Sequence, residues 1–346
     1  MAGRAARSAA VPAADALNRR AFQMRRPTRL ILLALTALGL APGTFVRETP
    51  PPPDFTSPVT VEKLRVPQLR TGPLLLAGAW VLRSENDHFG GYSALVDRRD
   101  GAFLAANDAG RLMRLPRPDR NRAAPTLDKF VDFARVDKVH VDIESLTDDP
   151  ETGEVWAGLE WAQAIMRFGP QLQKRAEVRP AEMRDWGANS GPESLVRLRD
   201  GRFVVIEEDS ISAGRHRALL FASDPTRGGK PIPFLFEGAD GYRPSDATRL
   251  PDGRILVVLR KVHLALPIRF GVRLVTADPA DIGAGGLLRS KLLAEIDEPT
   301  PTDNYEGATV TVEANGDWAI WLISDDNFFR FQRTLLLKLV WPRGAR

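Results

Sequence analysis

The chain has 346 residues, a formal net charge of +4 and no cysteine, which excludes thiol catalysis, disulfide bonds and thiolate metal sites. Seven of its 48 basic residues and one of its 44 acidic residues lie within residues 1–41, so the remainder carries 41 basic and 43 acidic side chains. Because this remainder is almost neutral, its charge gives no support for a polyanionic partner, and we expect no nucleic-acid partner.

The N-terminal segment has the features of an export signal. Three arginines within residues 25–29 precede the apolar stretch LILLALTALGLA at 30–41, and a basic flank before such a stretch is typical of a secretory signal. The stretch is shorter than the roughly 20 residues that span a membrane. We expect residues 1–45 to direct export to the periplasm or the medium, either as a cleaved signal or as an uncleaved inner-membrane anchor. Residues 46–58 are predicted to form an extended proline-rich spacer.

Five similar units follow one another along the rest of the chain. Each has a short apolar run, a turn such as Asp100-Gly101 or Asn315-Gly316, and a second run rich in β-forming residues. Glycine suits these turns because it adopts positive φ without a Cβ clash, so each pair of runs is predicted to be a hairpin. Two further apolar segments give about four strands in about 50 residues, the size of a β-propeller blade. The units begin at Gly90, Asp142, Gly191, Arg243 and Asp303.

The repeat predicts an all-β fold, a β-propeller over residues 59–346. Five units predict five blades, and six stay open if residues 58–90 form more than one blade strand. The last unit supplies three clear strands, ending in TLLLKLVW at 334–341, and unassigned apolar sequence precedes the first unit. We therefore expect an N-terminal strand to complete the last blade and close the ring. A β-sandwich of many hairpins is the alternative, although it does not predict so regular a period.

Several short motifs stand out within the repeats. They are HFGGYSAL at 88–95, GPESLVRLRDGRFVVIEED at 191–209, LPDGRILVVLR at 250–260, NYEGATV at 304–310 and ISDDN at 323–327. Together they resemble the phytase-like family, which is described by an esterase-like activity of phytase. The resemblance extends over roughly residues 60–340 and implies an exported bacterial β-propeller that hydrolyses phosphoesters, with phytate-like compounds as substrates.

The resemblance also implies functional positions. They are Glu193 on the family's Pro-Glu motif, Glu306 on its Asn-x-Glu-Gly motif, Asp325 and Asn327 on its Ser-Asp-x-Asn motif, and Arg260 after the fourth hairpin. The chain departs from the family where Ser190 and Gly191 replace a common Asp, and where Ala308 replaces the usual Leu. The first departure leaves the expected acidic site short of the family pattern.

Alignment of the repeats places one residue of each unit at the entrance of its first strand. These residues are Ser93, Glu144, Glu193, Asp246 and Glu306. First strands line the channel of a propeller, so we expect these side chains at one mouth, where close carboxylates need a cation to stay charged. Since Ca²⁺ and Mg²⁺ prefer oxygen ligands, we predict a Ca²⁺ or Mg²⁺ site and no organic cofactor. Its predicted ligands are Glu144, Glu193, Asp246, Glu306 and Asp325. The alternative is that these acids cap strands by accepting backbone N–H bonds.

A second cluster follows the second strand of each unit. Its acidic and amide members are Asn107-Asp108, Glu160, Glu207-Glu208 and Asp325-Asp326. In the fourth unit Arg260 and Lys261 stand at the corresponding place. Cations beside a metal-loaded acidic ring could bind phosphate oxygens, and arginine does so with a bidentate fork. The alternative for this pair is a salt bridge to an acid of a neighbouring blade.

Two functions are consistent with these observations. The first is metal-assisted hydrolysis of a small phosphorylated substrate, with Glu193, Glu306 and Arg260 as catalytic residues and with Arg260 and Lys261 binding the substrate. The second is a non-catalytic propeller of the cell envelope that binds a ligand or a protein partner, because a propeller fold by itself does not determine function. Metal-dependent turnover distinguishes the two.

Overall fold

The computed structural model describes most of the chain after the N-terminal segment. The described residues are 56–86, 88–98, 100–130, 142–187, 190–263, 269–283, 286–328 and 332–346. All of these residues belong to the compact unit Pro53–Arg346. The predicted leader 1–45 and most of the spacer 46–58 lie outside the described residues, so the predicted export stays a prediction. In the described part of the chain, no helix is long and apolar enough to cross a membrane.

Five sheets, antiparallel except for one short strand, form the five blades of a propeller. The chain begins with β1 (Thr60–Lys63), β2 (Arg70–Thr71) and β3 (Leu74–Arg83). Blade 1 contains β4 (Tyr92–Asp97), β5 (Ala102–Asn107), β6 (Arg111–Pro116) and β7 (Thr126–Lys129). Blade 2 contains β8 (Ile143–Asp148), β9 (Val155–Leu159), β10 (Ala164–Phe168) and β11 (Lys174–Val178).

The remaining three blades follow in chain order. Blade 3 contains β12 (Ser194–Arg197), β13 (Phe203–Ser212), β14 (Arg215–Phe221) and β15 (Ile232–Glu237). Blade 4 contains β16 (Arg243–Arg249), β17 (Ile255–His263), β18 (Arg269–Ala277) and β20 (Lys291–Ile296), with β19 (Leu287–Arg289) between the last two. Blade 5 begins with β21 (Asn304–Val312), β22 (Trp318–Asp325) and β23 (Thr334–Trp341). Short 3₁₀ turns occur at Ala181–Met183, Pro225–Arg227, Pro279–Asp281 and Arg343–Ala345.

The first strand of each blade is the innermost. The strands β4, β8, β12, β16 and β21 contact one another in that order, and β21 also contacts β4, so they form a ring around the channel. The predicted turns join the first two strands of each blade. Their glycines have positive φ, for example +88° at Gly201, where a Cβ would meet no neighbouring atom. Glycine is therefore required at this turn by backbone conformation and not by lack of space.

The hydrophobic core lies between the blades, with one cluster at each of the five interfaces between neighbouring blades in the described structure. The second strand of blade 3 shows how the sequence produces this arrangement. Phe203 and Val205 pack towards blade 2, whereas Val204 and Ile206 pack towards blade 4. Successive side chains of a strand point to opposite faces, so a strand covered on both faces is apolar at every position.

The N-terminal strand closes the ring, as the sequence predicts. β3 pairs antiparallel with β23, with Trp80 opposite Leu336 and Val81 opposite Leu335. β1 and β2 then pair with the outer side of β3. Trp80 stacks on Trp321 of β22, with 5.6 Å between ring centroids. The segment before blade 1 thus belongs to blade 5, and the count is five blades and not six.

The structure contains one strand pairing that the sequence does not predict. β19 lies between two strands of blade 4 in the sequence, yet it pairs in parallel with β15, the outer strand of blade 3. Leu288 of β19 is fully buried in the cluster between blades 3 and 4. Burial of this leucine stabilises the pairing of β19 with blade 3.

Ring closure predicts a large effect of Trp80→Ala on stability. The substitution removes a buried ring from the contact between the N-terminal strand and blade 5, and it should lower the free energy of unfolding by about 3–5 kcal/mol. Trp161→Ala is the matched control, because Trp161 is 46% exposed and its loss should change stability by about 0.5 kcal/mol or less. Urea unfolding of both variants measures the difference. Equal, small effects would contradict the role of β3 in closing the ring.

Candidate active site at one mouth of the channel

A β-bulge marks the entrance of four of the five inner strands. In each case one residue has no partner on the second strand of the blade while the residues on either side of it do. The unpaired residues are Ser93 in β4, Glu144 in β8, Ser245 in β16 and Glu306 in β21. In blade 3, Glu193 directly precedes Ser194, the first paired residue of β12. A bulge changes the direction in which a side chain points, and here it occurs at the same mouth of the channel in each blade.

This register corrects the alignment of the fourth unit by one residue. Ser245 is the equivalent of Glu144 and Glu306, and Asp246 already pairs with Val258. A shift of one residue moves a side chain to the other face of a strand. The carboxylate of Asp246 accepts hydrogen bonds from the backbone N–H groups of Ala247 and Ala308, both at 2.7 Å. Asp246 therefore links the inner strands of blades 4 and 5, as the strand-cap alternative predicts, and it is removed from the predicted ligands.

Three carboxylates of blade 2 lie close enough to bind one cation. One ligand oxygen from each of Asp142, Glu144 and Glu160 lies within 4.8 Å of the others. The blade holds them in place, because Asp142 precedes β8, Glu144 is its bulge residue, and the N–H of Glu160 donates to the carbonyl of Asp142 at 3.0 Å. We call Asp142, Glu144 and Glu160 the acidic trio.

Blade 3 brings a fourth carboxylate to the acidic trio. Gly191 packs so closely on Glu160 that a Cβ would lie 2.5 Å from the Cα of Glu160. Glu193 follows two residues later, is buried, and contributes through its charge to the raised pKa of Glu144. Glycine at position 191 thus permits the entrance of blade 3 to approach blade 2, and this contact explains why glycine occupies the position.

Arg260 of β17 joins the neighbouring blades through ion pairs. Its Nη1 lies 2.5 Å from Glu306 of blade 5, and its Nη2 lies 3.0 Å from Glu208 of blade 3. It also donates to the side-chain oxygen of Asn304 at 2.9 Å, and Asn304 donates to Glu306 at 2.8 Å. The salt-bridge alternative for Arg260 is therefore confirmed. Burial acts against the charge on Arg260, but the surrounding glutamates outweigh it and raise the pKa of the guanidinium.

The acids of this mouth have raised pKa values. Burial is the main cause for Glu144, and the charges of Glu193 and Asp142 add to it. Burial also raises the pKa of Glu193, with Glu208 adding to the shift and Arg260 opposing it. Burial and the neighbouring Asp142 raise the pKa of Glu160 to about 8. A bound cation would stabilise the charged forms of these glutamates and so lower their pKa values.

The other predicted site residues are placed differently. Asp325 accepts from the N–H of Asn327 at 2.6 Å, and its pKa is raised by burial and by Glu306. It lies beside Glu306, whereas the acidic trio belongs to blade 2. Lys261 lies on the face of β17 opposite to Arg260, with its Nζ 5.6 Å from the ring centroid of Tyr242. Of the two predicted substrate-binding cations, only Arg260 contacts the acids of the mouth.

The site includes three residues that the sequence does not predict as catalytic residues or ligands. The sequence marks Asp142 only as the first residue of a repeat, and Glu208 as one of two adjacent acids. Asn304 is the first residue of the Asn-x-Glu-Gly motif, so the motif itself was the available signal. Glu207, the neighbour of Glu208, instead receives a hydrogen bond of 2.6 Å from Arg217.

The pKa of Glu160 predicts a pH dependence of stability. The pKa is about 8 in the folded protein and 4.5 ordinarily, so between these values the folded state binds more protons than the unfolded state. The free energy of unfolding of the cation-free protein should therefore fall as pH rises from about 4.5 to about 8. Glu160→Gln should reduce this fall, since glutamine does not titrate, whereas Glu151→Gln at an exposed position should not. Urea unfolding in chelator across this range is the measurement, and the same slope in all three proteins would refute the raised pKa.

The chain resembles several proteins of known structure. It is 13% identical to a gluconolactonase from Xanthomonas campestris, covering 80% of this chain and 99% of that chain with a TM-score of 0.39. It is 11% identical to a luciferin-regenerating enzyme, covering 83% and 96% with a TM-score of 0.41. A chain of the nidogen/laminin complex is 9% identical, with coverage of 82% and 98% and a TM-score of 0.42. Similarities this low carry no argument about function.

Comparison with sequences gives a more specific result. No curated protein matches the chain. The profile of the phytase-like family, described as having esterase-like activity of phytase, matches residues 87–328. This range includes the entrances of all five inner strands, with Ser93, Glu144, Glu193, Ser245 and Glu306. The protein therefore belongs to the phytase-like family.

Proposed function

We propose that the protein is a hydrolase that cleaves phosphoesters of small substrates with the help of a divalent cation bound at the acidic mouth. The observation that carries this proposal is the acidic trio, whose three carboxylates lie within 4.8 Å of one another. Membership of the phytase-like family supports the same class of reaction.

The chemistry of the acidic trio fits a hard cation. All three side chains offer oxygen, the ligand that Ca²⁺ and Mg²⁺ prefer. Glu144 and Glu160 form no ion pair with any described residue, and burial holds their pKa values high. A cation would remove the repulsion between them. Asp142, Glu144 and Glu160 would hold the ion, which would supply a Lewis acid to a phosphoryl oxygen.

Glu193 is the proposed general base. It is buried, and its pKa is raised by burial and by Glu208. A carboxylate with a raised pKa is a stronger base than an ordinary glutamate, so its charged form accepts a proton from water more effectively. Glu193 comes from blade 3, and its charge contributes to the raised pKa of Glu144 in the acidic trio of blade 2. In this arrangement, a residue of blade 3 transfers the proton and residues of blade 2 bind the ion.

Arg260 is the proposed positioning residue of the site. Its ion pairs fix Glu306 and Glu208 relative to each other, while its buried Nε has no hydrogen-bond partner in the described structure. Guanidinium groups suit phosphate because their N–H donors form a planar fork. Because Glu306 is already ion-paired with Arg260, its proposed role is to hold Arg260 in place and not to contact the cation directly.

The test is release of inorganic phosphate from phytate and from a simple phosphomonoester, with Ca²⁺ or Mg²⁺ added to chelator-treated protein. Glu144→Gln removes one charged ligand while keeping its size. It should weaken cation binding by about tenfold or more, as measured by calorimetry, and reduce turnover in parallel. Glu151→Gln is the control, since Glu151 is exposed and outside the acidic trio. Cation binding without phosphate release would contradict the hydrolase proposal and favour a non-catalytic ligand-binding propeller.

We also propose that the protein acts outside the cytoplasm. The support is the sequence of the N-terminal segment, with its basic flank and its apolar stretch at 30–41. Fractionation of cells that express a C-terminally tagged chain should recover it from the periplasm, the medium or the inner membrane. Recovery of the full-length chain from the soluble cytoplasm would refute this proposal.

A further inference from the structure

Four exposed apolar side chains lie around the acidic mouth. Each follows a residue of the mouth by one to three positions, near the end of the second strand of its blade or in the turn after it. They are Trp161 after Glu160, Ile211 after Glu208, Val262 after Arg260 and Phe328 after Asp325. Because three residues of chain span at most about 11 Å, all four lie close to the mouth. We call these four side chains the apolar rim.

The apolar rim takes one residue from each of blades 2, 3, 4 and 5. The exposed fractions are 46% for Trp161, 52% for Ile211, 47% for Val262 and 44% for Phe328. A single exposed apolar side chain is ordinary, whereas a set of large ones on one face of a protein marks an interaction surface. The corresponding turns of four blades therefore present apolar groups on the face where the acidic mouth opens, which we call the acidic-mouth face.

The turn that exposes Phe328 is held in place by hydrogen bonds. Phe328 has φ of +53° and Asn327 has φ of +49°, in a region that costs free energy for residues other than glycine. The N–H of Phe328 donates to Oδ1 of Asp326 at 3.1 Å, and the N–H of Gly91 donates to the same oxygen at 3.0 Å. The exposed ring is thus kept at the mouth despite a strained backbone.

The described chain joins the propeller on the acidic-mouth face. Thr60 begins β1 and lies opposite Arg83, the last residue of β3. The neighbouring Leu82 lies opposite Thr334, the first residue of β23. Thr334 donates to Asp326 at 2.8 Å, next to the mouth. The residues before Thr60 are therefore attached to this face and not to the opposite one.

This attachment brings a bilayer within reach of the apolar rim. The apolar stretch at 30–41, the predicted export signal or anchor, lies outside the described residues and is separated from Thr60 by 18 residues. Eighteen residues of extended chain span at most about 65 Å. A bilayer also suits the apolar rim because separate side chains can enter lipid without a complementary surface, and tryptophan is favoured at the membrane interface.

We propose that the apolar rim inserts into the surface of a phospholipid bilayer, so that the acidic mouth faces the lipid headgroups. Exposed basic side chains stand in two of the same hairpins, Arg215 opposite Ser212 in blade 3 and Arg269 opposite His263 in blade 4. Arginine can reach a headgroup phosphate while its aliphatic stem lies on apolar surface. The proposal does not rest on the proposed phosphoester hydrolysis, because binding to a bilayer requires no turnover.

Single labels on the full chain test this proposal. The chain has no cysteine, so Ile211→Cys and Val262→Cys each accept one environment-sensitive fluorophore. The probe is a vesicle of phosphatidylcholine and phosphatidylglycerol that contains nitroxide-labelled phosphatidylcholine as a quencher. Both labels should shift to shorter emission wavelengths and lose fluorescence, because insertion removes them from water and brings them to the quencher.

Ile232→Cys is the matched control for these labels. Ile232 is 42% exposed and belongs to the same blade as Ile211, but it lies opposite Leu220, at the far end of the blade from the acidic mouth. Its label should stay unquenched on the same vesicles. Absence of quenching at position 211 or 262, as expected if the apolar rim binds a protein, would overturn the proposal, and so would equal quenching at position 232.

A charged variant tests whether the apolar rim itself enters the lipid. Ile211→Asp, made in the chain labelled at position 262, should reduce the quenching, because a carboxylate is costly in hydrocarbon. Ile232→Asp should leave the quenching at position 262 unchanged. Both substitutions are at exposed positions, so both variants should fold. Equal quenching in the two variants would contradict the insertion of Ile211.

Discussion

Burial of several carboxylates around one guanidinium is the constraint on which the acidic mouth depends. Arg260 of blade 4 pairs with Glu208 of blade 3 and Glu306 of blade 5, so a single side chain links three blades. Arg260 forms no ion pair with Glu144 or Glu160 of blade 2 in the described structure, and the pKa values of these two glutamates are raised. Like charges this close require a cation or shared protons, and this requirement leads from the fold to the proposed chemistry.

The propeller gives its two mouths different chemistry because each inner strand has a direction. The strands enter the channel at bulges that carry glutamate or serine, and they leave it near Arg98, Arg199 and Arg249. Residues distant in the sequence thereby meet in two rings at the ends of one channel. Close approach at Gly191 adds the contact between blades 2 and 3 that brings Glu193 to the acidic trio.

Much of this fold follows from local sequence, since the repeats, the Asp-Gly turns and the incomplete last unit predict five blades and their closure. The site is harder to predict from the sequence, because the strand register decides which side chains reach the mouth of the channel. A bulge before Asp246 shifts the equivalent position to Ser245, and no local pattern marks this shift. The parallel pairing of β19 and the pairing of Arg260 with two blades likewise depend on contacts between distant segments. Motifs in the sequence mark Glu193 and Glu306, whereas only the three-dimensional contact with Glu144 and Glu160 identifies Asp142 as part of the site.

Anomalous diffraction from crystals soaked in Mn²⁺ is the most direct measurement of whether the acidic mouth holds a cation. Mn²⁺ shares the preference of Ca²⁺ and Mg²⁺ for oxygen ligands. The account predicts an anomalous peak between Asp142, Glu144 and Glu160, with carboxylate oxygens at about 2.0–2.6 Å. Crystals without a peak at this position, with carboxyl groups of the acidic trio hydrogen-bonded to each other through shared protons, would contradict it.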